Sequence, residues 1–449
     1  MDTSTAFDDL RAFRHSLYRC FDRRSDALFE LGDALLSAGV VPSPVHLSLE
    51  PVHRRGWGSL YAALERGRID ARSLRTLVAH HPLPDERALI FAVDVSVWAR
   101  CDAETSPERG FYYHPSRHSA GQPIVAGWAY QWIAQIGFAR ESWVAPVDAR
   151  RVRPAENTNE AATAQVAALL ERLPESEDVV VPLFVFDAGY DPVQLQLGLA
   201  GRPATILVRL RAGRCFYADP VGPPARTGRP RRHGAKLDTK DPKTWPTPTA
   251  EHRCEDPGYG SVRVRAWAGL HPKTQEHPGR GTRRPRPIVR GTLILVEVSR
   301  LPRPTREPRM LWLWWAGSSG EPDLDLIWRA YVRRFDLEHT FRFLKQTLGW
   351  TTPGVRHPHQ ADLWTWLVVG AFTQLRLARA CVSDRRLPWE RSYDPGRLTP
   401  VRVRRTVSAL LSELGTPAEP PKPCGRSPGR PKGRRSGRAK RYPAIKKTA

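Results

Sequence analysis

Three carboxylates stand out by the company they keep. RALIFAVDVSVWAR runs apolar into Asp94, DVVVPLFVFDAGYD runs apolar into Asp187, and DLIWRAYVRRFDLEHTFRFLKQTLGW (325–350) carries Glu338 among cations. An acid at the carboxyl end of a buried strand is held rigidly at a sheet edge, where α/β folds place ligands. Carboxylate oxygens are hard donors suited to Mg²⁺ or Mn²⁺, which take one or two of them plus water and phosphate oxygens. Two such ions about 3.5–4 Å apart serve in-line phosphoryl transfer, activating the attacking oxygen and stabilising the leaving one. Taken singly, each aspartate also reads as a strand-end turn residue or helix cap, and Asp102 and Asp191 fit that reading better.

The stretch 325–350 has no Pro or Gly before Gly349, so its pattern predicts one helix. At about 100° per residue, Leu337, Phe341, Leu344 and Leu348 form an apolar stripe. Tyr331, Arg334, Glu338 and Lys345 line its border, with Asp336 directed roughly the other way. An acid flanked by a phenol and two cations suits metal and phosphate together. A solvated charged border on an amphipathic helix is the competing reading.

The four border residues match the spacing Y-x2-R-x3-E-x6-K, Asp187-Ala188-Gly189-Tyr190 matches D-[RA]-G-[YF], and Asp94-Val95-Ser96 matches D-x-[ST]. On these motifs the sequence resembles, over residues 88–350, the DDE transposases of bacterial insertion sequences, in the subgroup carrying that signature. The resemblance implies an α/β, ribonuclease H-like mixed-sheet core with a β-rich insertion, flanked by helical N- and C-terminal regions. It makes Asp94, Asp187 and Glu338 the catalytic ligands of two Mg²⁺ ions, with Mn²⁺ as a substitute. It further implies nicking of double-stranded DNA at transposon ends and transfer of the freed 3′-hydroxyl to target DNA, by a homodimer in the DNA complex. Tyr331, Arg334 and Lys345 would contact phosphates, and an aromatic in the insertion would stack on a flipped base; Trp245 and Trp267 are the candidates, and each reads more readily as a core or surface tryptophan. Two alternatives stand beside it: a nuclease of the same fold without strand transfer, and an inactive DNA-binding protein.

Charge distribution favours a polyanionic partner. Of the net +24, residues 202–309 hold 24 Lys and Arg against 9 Asp and Glu, and residues 420–449 hold 11 against none. Cationic segments beside near-neutral ones suit nucleic acid. In the C-terminal segment Gly429-Arg430-Pro431, followed by Lys432, Arg434 and Arg435, has the Gly-Arg-Pro core of minor-groove AT-hook peptides, repeated at Gly228-Arg229-Pro230. The expectation is salt-dependent phosphate binding without base readout. The six cysteines are scattered without CxxC pairs or His at zinc-finger spacing, which argues against disulfides and structural zinc. Residues 1–13 carry acids and no apolar core, and LWTWLVVGAF (363–372) is too short to span a bilayer. A cytoplasmic, nucleoid-associated protein without membrane partners is expected.

The elements that must position the acids follow in chain order. Residues 1–85 read as short helices, possibly DNA-binding, with a helical packing or dimer role as the alternative. Strand patterns and a helix over 159–173 make 86–210 the first part of the core. Residues 211–287 are a basic β-rich insertion too long for an ordinary loop, and 288–358 complete the core. Helices are expected over 359–416, and 417–449 is read as a disordered basic tail.

Overall fold

Apolar runs long enough to be buried on both sides pair here into one sheet that orders the whole chain. The computed structural model describes residues 3–446 except 84–87, 115–121, 140–142, 175–180, 223–230, 274–286, 303–306, 308–309, 318–319, 395–396, 424–428, 430 and 434–436. The chain opens with helices α1 (Thr3–Arg19), α2 (Ser25–Ser37), α3 (Pro44–Leu47), α4 (Trp57–Arg66) and α5 (Ala71–Ala79). A small antiparallel ladder of β1 (Phe21–Arg23) and β2 (Arg68–Ile69) ties them together.

The core strands follow as β3 (Ile90–Ala99), β4 (Gly110–Tyr113), β5 (Ile124–Gln135), β6 (Ala145–Val152), β7 (Leu183–Phe186) and β8 (Thr205–Arg209), with α6 (Thr158–Leu170) and α7 (Pro192–Gly198) between them. β5 lies antiparallel between β3 and β6, while β7 runs parallel to β3 and β8 parallel to β7. The resulting order β6-β5-β3-β7-β8 is the ribonuclease H-like arrangement. Helices cover both faces. Phe91, Val93, Phe184 and Phe186 pack under α6 and α7, while Ile90, Ala92, Leu183 and Val185 join the larger cluster on the other face. Such period-2 alternation with apolar residues on both faces is why the sequence shows continuous runs.

The sheet does not stop at β8. Strands β9 (Cys215–Tyr217), β10 (Lys236–Asp238), β11 (Ala250–Asp256), β12 (Gly260–Pro272), β13 (Gly291–Val298) and β14 (Leu311–Ala316) extend it, β14 pairing antiparallel with β8. Among the described residues this makes a 12-stranded sheet, in which the strands of 211–287 share ladders with those that follow. Trp245 and Trp267 follow the packing reading: they lie against each other and Trp312, and their indole N–H groups donate to the carbonyls of Asp238 and Pro246.

Three expectations change. The helix predicted over 325–350 is two, α8 (Leu324–Arg333) and α9 (Phe335–Gln346), meeting at Arg334, where the Leu337 N–H turns back to the Arg334 carbonyl (3.1 Å). Asp94 is not at a strand end, because antiparallel pairing with β5 carries β3 on to Ala99. The parallel ladder with β7, however, ends at Val93–Phe186, so Asp94 and Asp187 each follow its last rung. Within the basic tail, residues 442–445 are docked rather than loose. Tyr442 and Ile445 N–H groups donate to the carbonyls of Glu104 and Arg109, and Ile445 bridges Gly110 on the free edge of β4. An unpaired strand edge offers exactly the backbone partners that such a polar segment lacks by itself.

Behind the core, α10 (Pro358–Ala378) and α11 (Pro400–Leu414) form one helical layer with α1 and α2. The buried Arg14 side chain joins them, donating to Asp33 (2.7 Å), Gln374 (2.7 Å) and the Gly415 carbonyl (3.0 Å). No described helix is long and apolar enough to cross a membrane.

Candidate active site

Strand alternation places the first two acids. Asp94 shares its face of β3 with Ala92, the face on which α8 and α9 lie, and Asp187 follows β7 beside it. The Asp187 Oδ1 accepts the Gly189 N–H (2.8 Å), closing a tight turn. A Cβ at Gly189 would stand 3.0 Å from that same oxygen, so glycine keeps the carboxylate accessible. Beneath, the buried Tyr190 hydroxyl donates to Gln131 Oε1 (3.2 Å), and the Gln131 amide donates to Gln165 Oε1 (2.9 Å). Burial first, then the negative charges of Asp94 and Asp187, pushes the Tyr190 hydroxyl well above its ordinary pKa, so it stays a neutral donor.

Arg334 brings in the third acid. Buried at the junction of α8 and α9, its Nη1 donates to Asp94 Oδ2 (2.8 Å) and its Nη2 reaches Glu338 Oε1 (3.4 Å). The guanidinium also lies 5.8 Å from the ring of Tyr331, itself buried, so the upper half of the border stripe belongs to the core while Glu338 is half exposed. Asp336 pairs with Arg333 instead (2.9 Å). The acids feel one another: burial pushes the Asp94 carboxyl up to about 6, Arg334 opposes this, and Asp187 and Glu338 add to it. The Arg334 pKa is raised by Asp94, Tyr331, Asp187 and Glu338 together, against the opposing effect of burial.

Three carboxylates and one guanidinium leave a net negative charge beside a cleft of about 240 Å³ lined by Asp94, Tyr112, Thr158, Asp187, Gly189 and Tyr190. This donor set is all oxygen and hard, as Mg²⁺ or Mn²⁺ requires, and the surplus negative charge suits divalent cations. A larger cleft of about 650 Å³ lies between α5, β6 and α10. Several arginines line it, but Arg75, Arg150 and Arg151 are paired with Asp148, Glu156 and Asp362.

Lys345 lies two helical turns beyond Glu338, about 10 Å along α9, with its ammonium over the Trp350 ring (5.6 Å). Lys432 is exposed on the C-terminal segment; Arg430, Arg434, Arg435 and Gly228-Arg229-Pro230 lie outside the described residues. Sequence reasoning missed Gln131 and Gln165. Both sit within apolar patterns as isolated polar residues, and a buried amide inside a strand or helix core is the signal that could have marked them.

A family model described as DDE superfamily endonuclease matches residues 16–274, more than half of the chain, and the chain belongs to that family. The matched segment contains Asp94 and Asp187 and ends before Glu338. No curated protein matches the chain significantly.

Proposed function

We propose that this DDE superfamily endonuclease is a DNA transposase: it nicks DNA at the ends of a mobile element and joins the freed 3′-hydroxyl to target DNA. Asp94, Asp187 and Glu338 would hold two Mg²⁺ ions, with Mn²⁺ able to replace them. Bound there, the ions would lower the pKa of the attacking water or hydroxyl and offset charge on the leaving oxygen. The chain's own residues supply the positioning. Asp94 and Asp187 are held by the end of a parallel ladder, and Glu338 is oriented by Arg334. Of the three residues expected at phosphates, Lys345 would meet the DNA backbone further along α9, while the buried Arg334 and Tyr331 would support the acids from within; the basic segments would hold flanking duplex through salt-dependent contacts. No covalent protein–DNA intermediate is required. Two copies would bring the two element ends together.

The single observation that supports this reading most is the Arg334 bridge, which links Asp94 and Glu338 from opposite parts of the chain beside Asp187. The test is incubation with supercoiled DNA carrying the element's ends, plus target DNA and Mg²⁺. Nicked and joined products are expected from the natural chain and neither from Asp94→Asn. Nicking without any joined product would reduce the activity to that of a nuclease, and DNA binding without nicking in either form would refute the enzyme reading.

A further inference from the structure

A second cluster of metal-ligating side chains lies away from the acids. Alternation on β11 puts His252 and Cys254 on one face, and the first turn of α8 lays Asp325 against it. The His252 Nε2 is 3.2 Å from Asp325 Oδ1, Cys254 Sγ is 4.0 Å from the same oxygen, and all three donor atoms lie within 4.8 Å of one another. Tetrahedral zinc with ordinary bond lengths needs about 3.3 Å between its N and O donors and about 3.6 Å between its S and O donors. The two distances to Asp325 lie within a few tenths of an ångström of these values, while the His252–Cys254 separation, within 4.8 Å, has to reach about 3.6 Å by side-chain rotation. Independently, the His252 Nε2 is buried and its approach to Asp325 lacks hydrogen-bond geometry, so a ligating nitrogen points into the cluster without a proton partner.

We propose that His252, Cys254 and Asp325 bind one borderline-soft divalent cation of the zinc class, with water as the fourth ligand. Surrounding donors already orient the carboxylate: Trp328 Nε1 donates to Oδ1 (3.0 Å), and Arg329 Nε contacts both oxygens (2.9 and 3.0 Å). On binding, Arg329 keeps Oδ2 and yields Oδ1, becoming the kind of outer partner that fixes a ligand's direction. Charge closes as well. A Cys254 thiolate, Asp325 and Asp256, whose Oδ2 is 3.5 Å from Arg329, balance one guanidinium and a divalent ion. The side chains of His252 and Asp325 are 33% and 41% exposed, so the ion has a path from solvent. Its effect would be mechanical: it pins the start of α8 to the sheet, about 14 Å along the helical path from Arg334.

The experiment titrates the reduced full-length chain with Zn²⁺ against a chromogenic chelator, and with Co²⁺ for its spectrum. One tightly held ion per chain is expected, with a thiolate-to-cobalt absorption band that disappears in Cys254→Ser and in His252→Gln. The same ion and band should persist in Asp94→Asn/Asp187→Asn, which separates this site from the carboxylate trio and from the fate of the transposase reading. Melting in chelator shows that each variant is folded, and the two variants back each other if one is not. The proposal is overturned if the natural chain binds no stoichiometric Zn²⁺, or if the cobalt band survives loss of Cys254.

Discussion

Replacing Arg334 by Met tests how the candidate site is assembled. The substitution keeps most of the side-chain length and removes the charge that Asp94 and Glu338 share. A pair of unit charges about 4 Å apart interacts by about 4 kcal/mol at the effective dielectric constant of partly buried sites. Removing one partner of a buried pair costs about 3–5 kcal/mol, because the other is stranded. The Asp94 side chain is 17% exposed, which trims that figure, and the half-exposed Glu338 adds little. We therefore expect a loss of about 3 kcal/mol. With an unfolding entropy of about 2.1 cal/mol/K per residue, a chain of 449 residues converts this into a Tm lower by about 3 °C.

The assay is thermal melting in chelator and again in millimolar Mg²⁺. In the natural chain the guanidinium competes for carboxylate oxygens that the ions would use, whereas in Arg334→Met those oxygens are free and mutually repelling. Magnesium should raise the Tm of the variant more than that of the natural chain, while DNA nicking falls. Arg334→Lys keeps the charge without the two-pronged geometry, so it should recover most of the stability and little of the nicking. If Arg334→Met melts with the natural chain in chelator and gains no more from magnesium, the guanidinium does not hold the acids together.

Asp187→Asn and Glu338→Gln should each abolish Mg²⁺-dependent nicking, with Glu338→Gln shifting Tm by less than about 1 °C in chelator, since exposed pairs contribute little; nicking assays and melting on the same samples decide it. Arg14→Met should cost about 3–5 kcal/mol by stranding Asp33, whose pKa burial already raises, and Arg14→Met/Asp33→Leu should recover much of the loss on urea unfolding. Glu390 is held at about 2, against an ordinary 4.5, by hydrogen bonds first from Arg405 and then from the Leu387 N–H. Its folded pKa is depressed, so its contribution is complete above about pH 4.5 and is lost as pH falls toward 2. Glu390→Gln should flatten that part of the acid unfolding curve, and an unchanged curve would show that the Arg405 contact stabilises nothing.

Much of the fold was legible because burial on two faces writes itself into residue type. FAVD and FVFD mark β3 and β7 with no knowledge of their partners, and the Leu337, Phe341, Leu344 and Leu348 stripe is buried as the helical period requires. Continuation of β3 past Asp94 was not legible. Val95, Val97 and Trp98 do carry strand propensity, but an acid inside the run reads as its end, and only pairing with β5 shows that the strand passes through it. The joining of 211–287 to the same sheet is of that kind too, since short basic strands carry no mark of the neighbour they will extend. Spacing rules for zinc fingers likewise overlook His252, Cys254 and Asp325, because two ligands lie two residues apart on a strand and the third comes from a helix 71 residues later.

The break at Arg334 is the most instructive case. Every residue from Leu324 to Gln346 tolerates a helix, and no glycine or proline marks the interruption. A helical wheel assigns direction from local spacing alone and would leave Tyr331, Arg334 and Glu338 as one solvated border. What it cannot contain is the pull of a carboxylate 240 positions away. With Asp94 buried and raised in pKa by its own burial and by two neighbouring acids, the nearest cation is drawn inward, and Arg334 reaches it from the point where α8 gives way to α9. That argues for treating a charged residue at an uncapped helix junction as an electrostatic counterpart to something distant, before treating it as solvated surface.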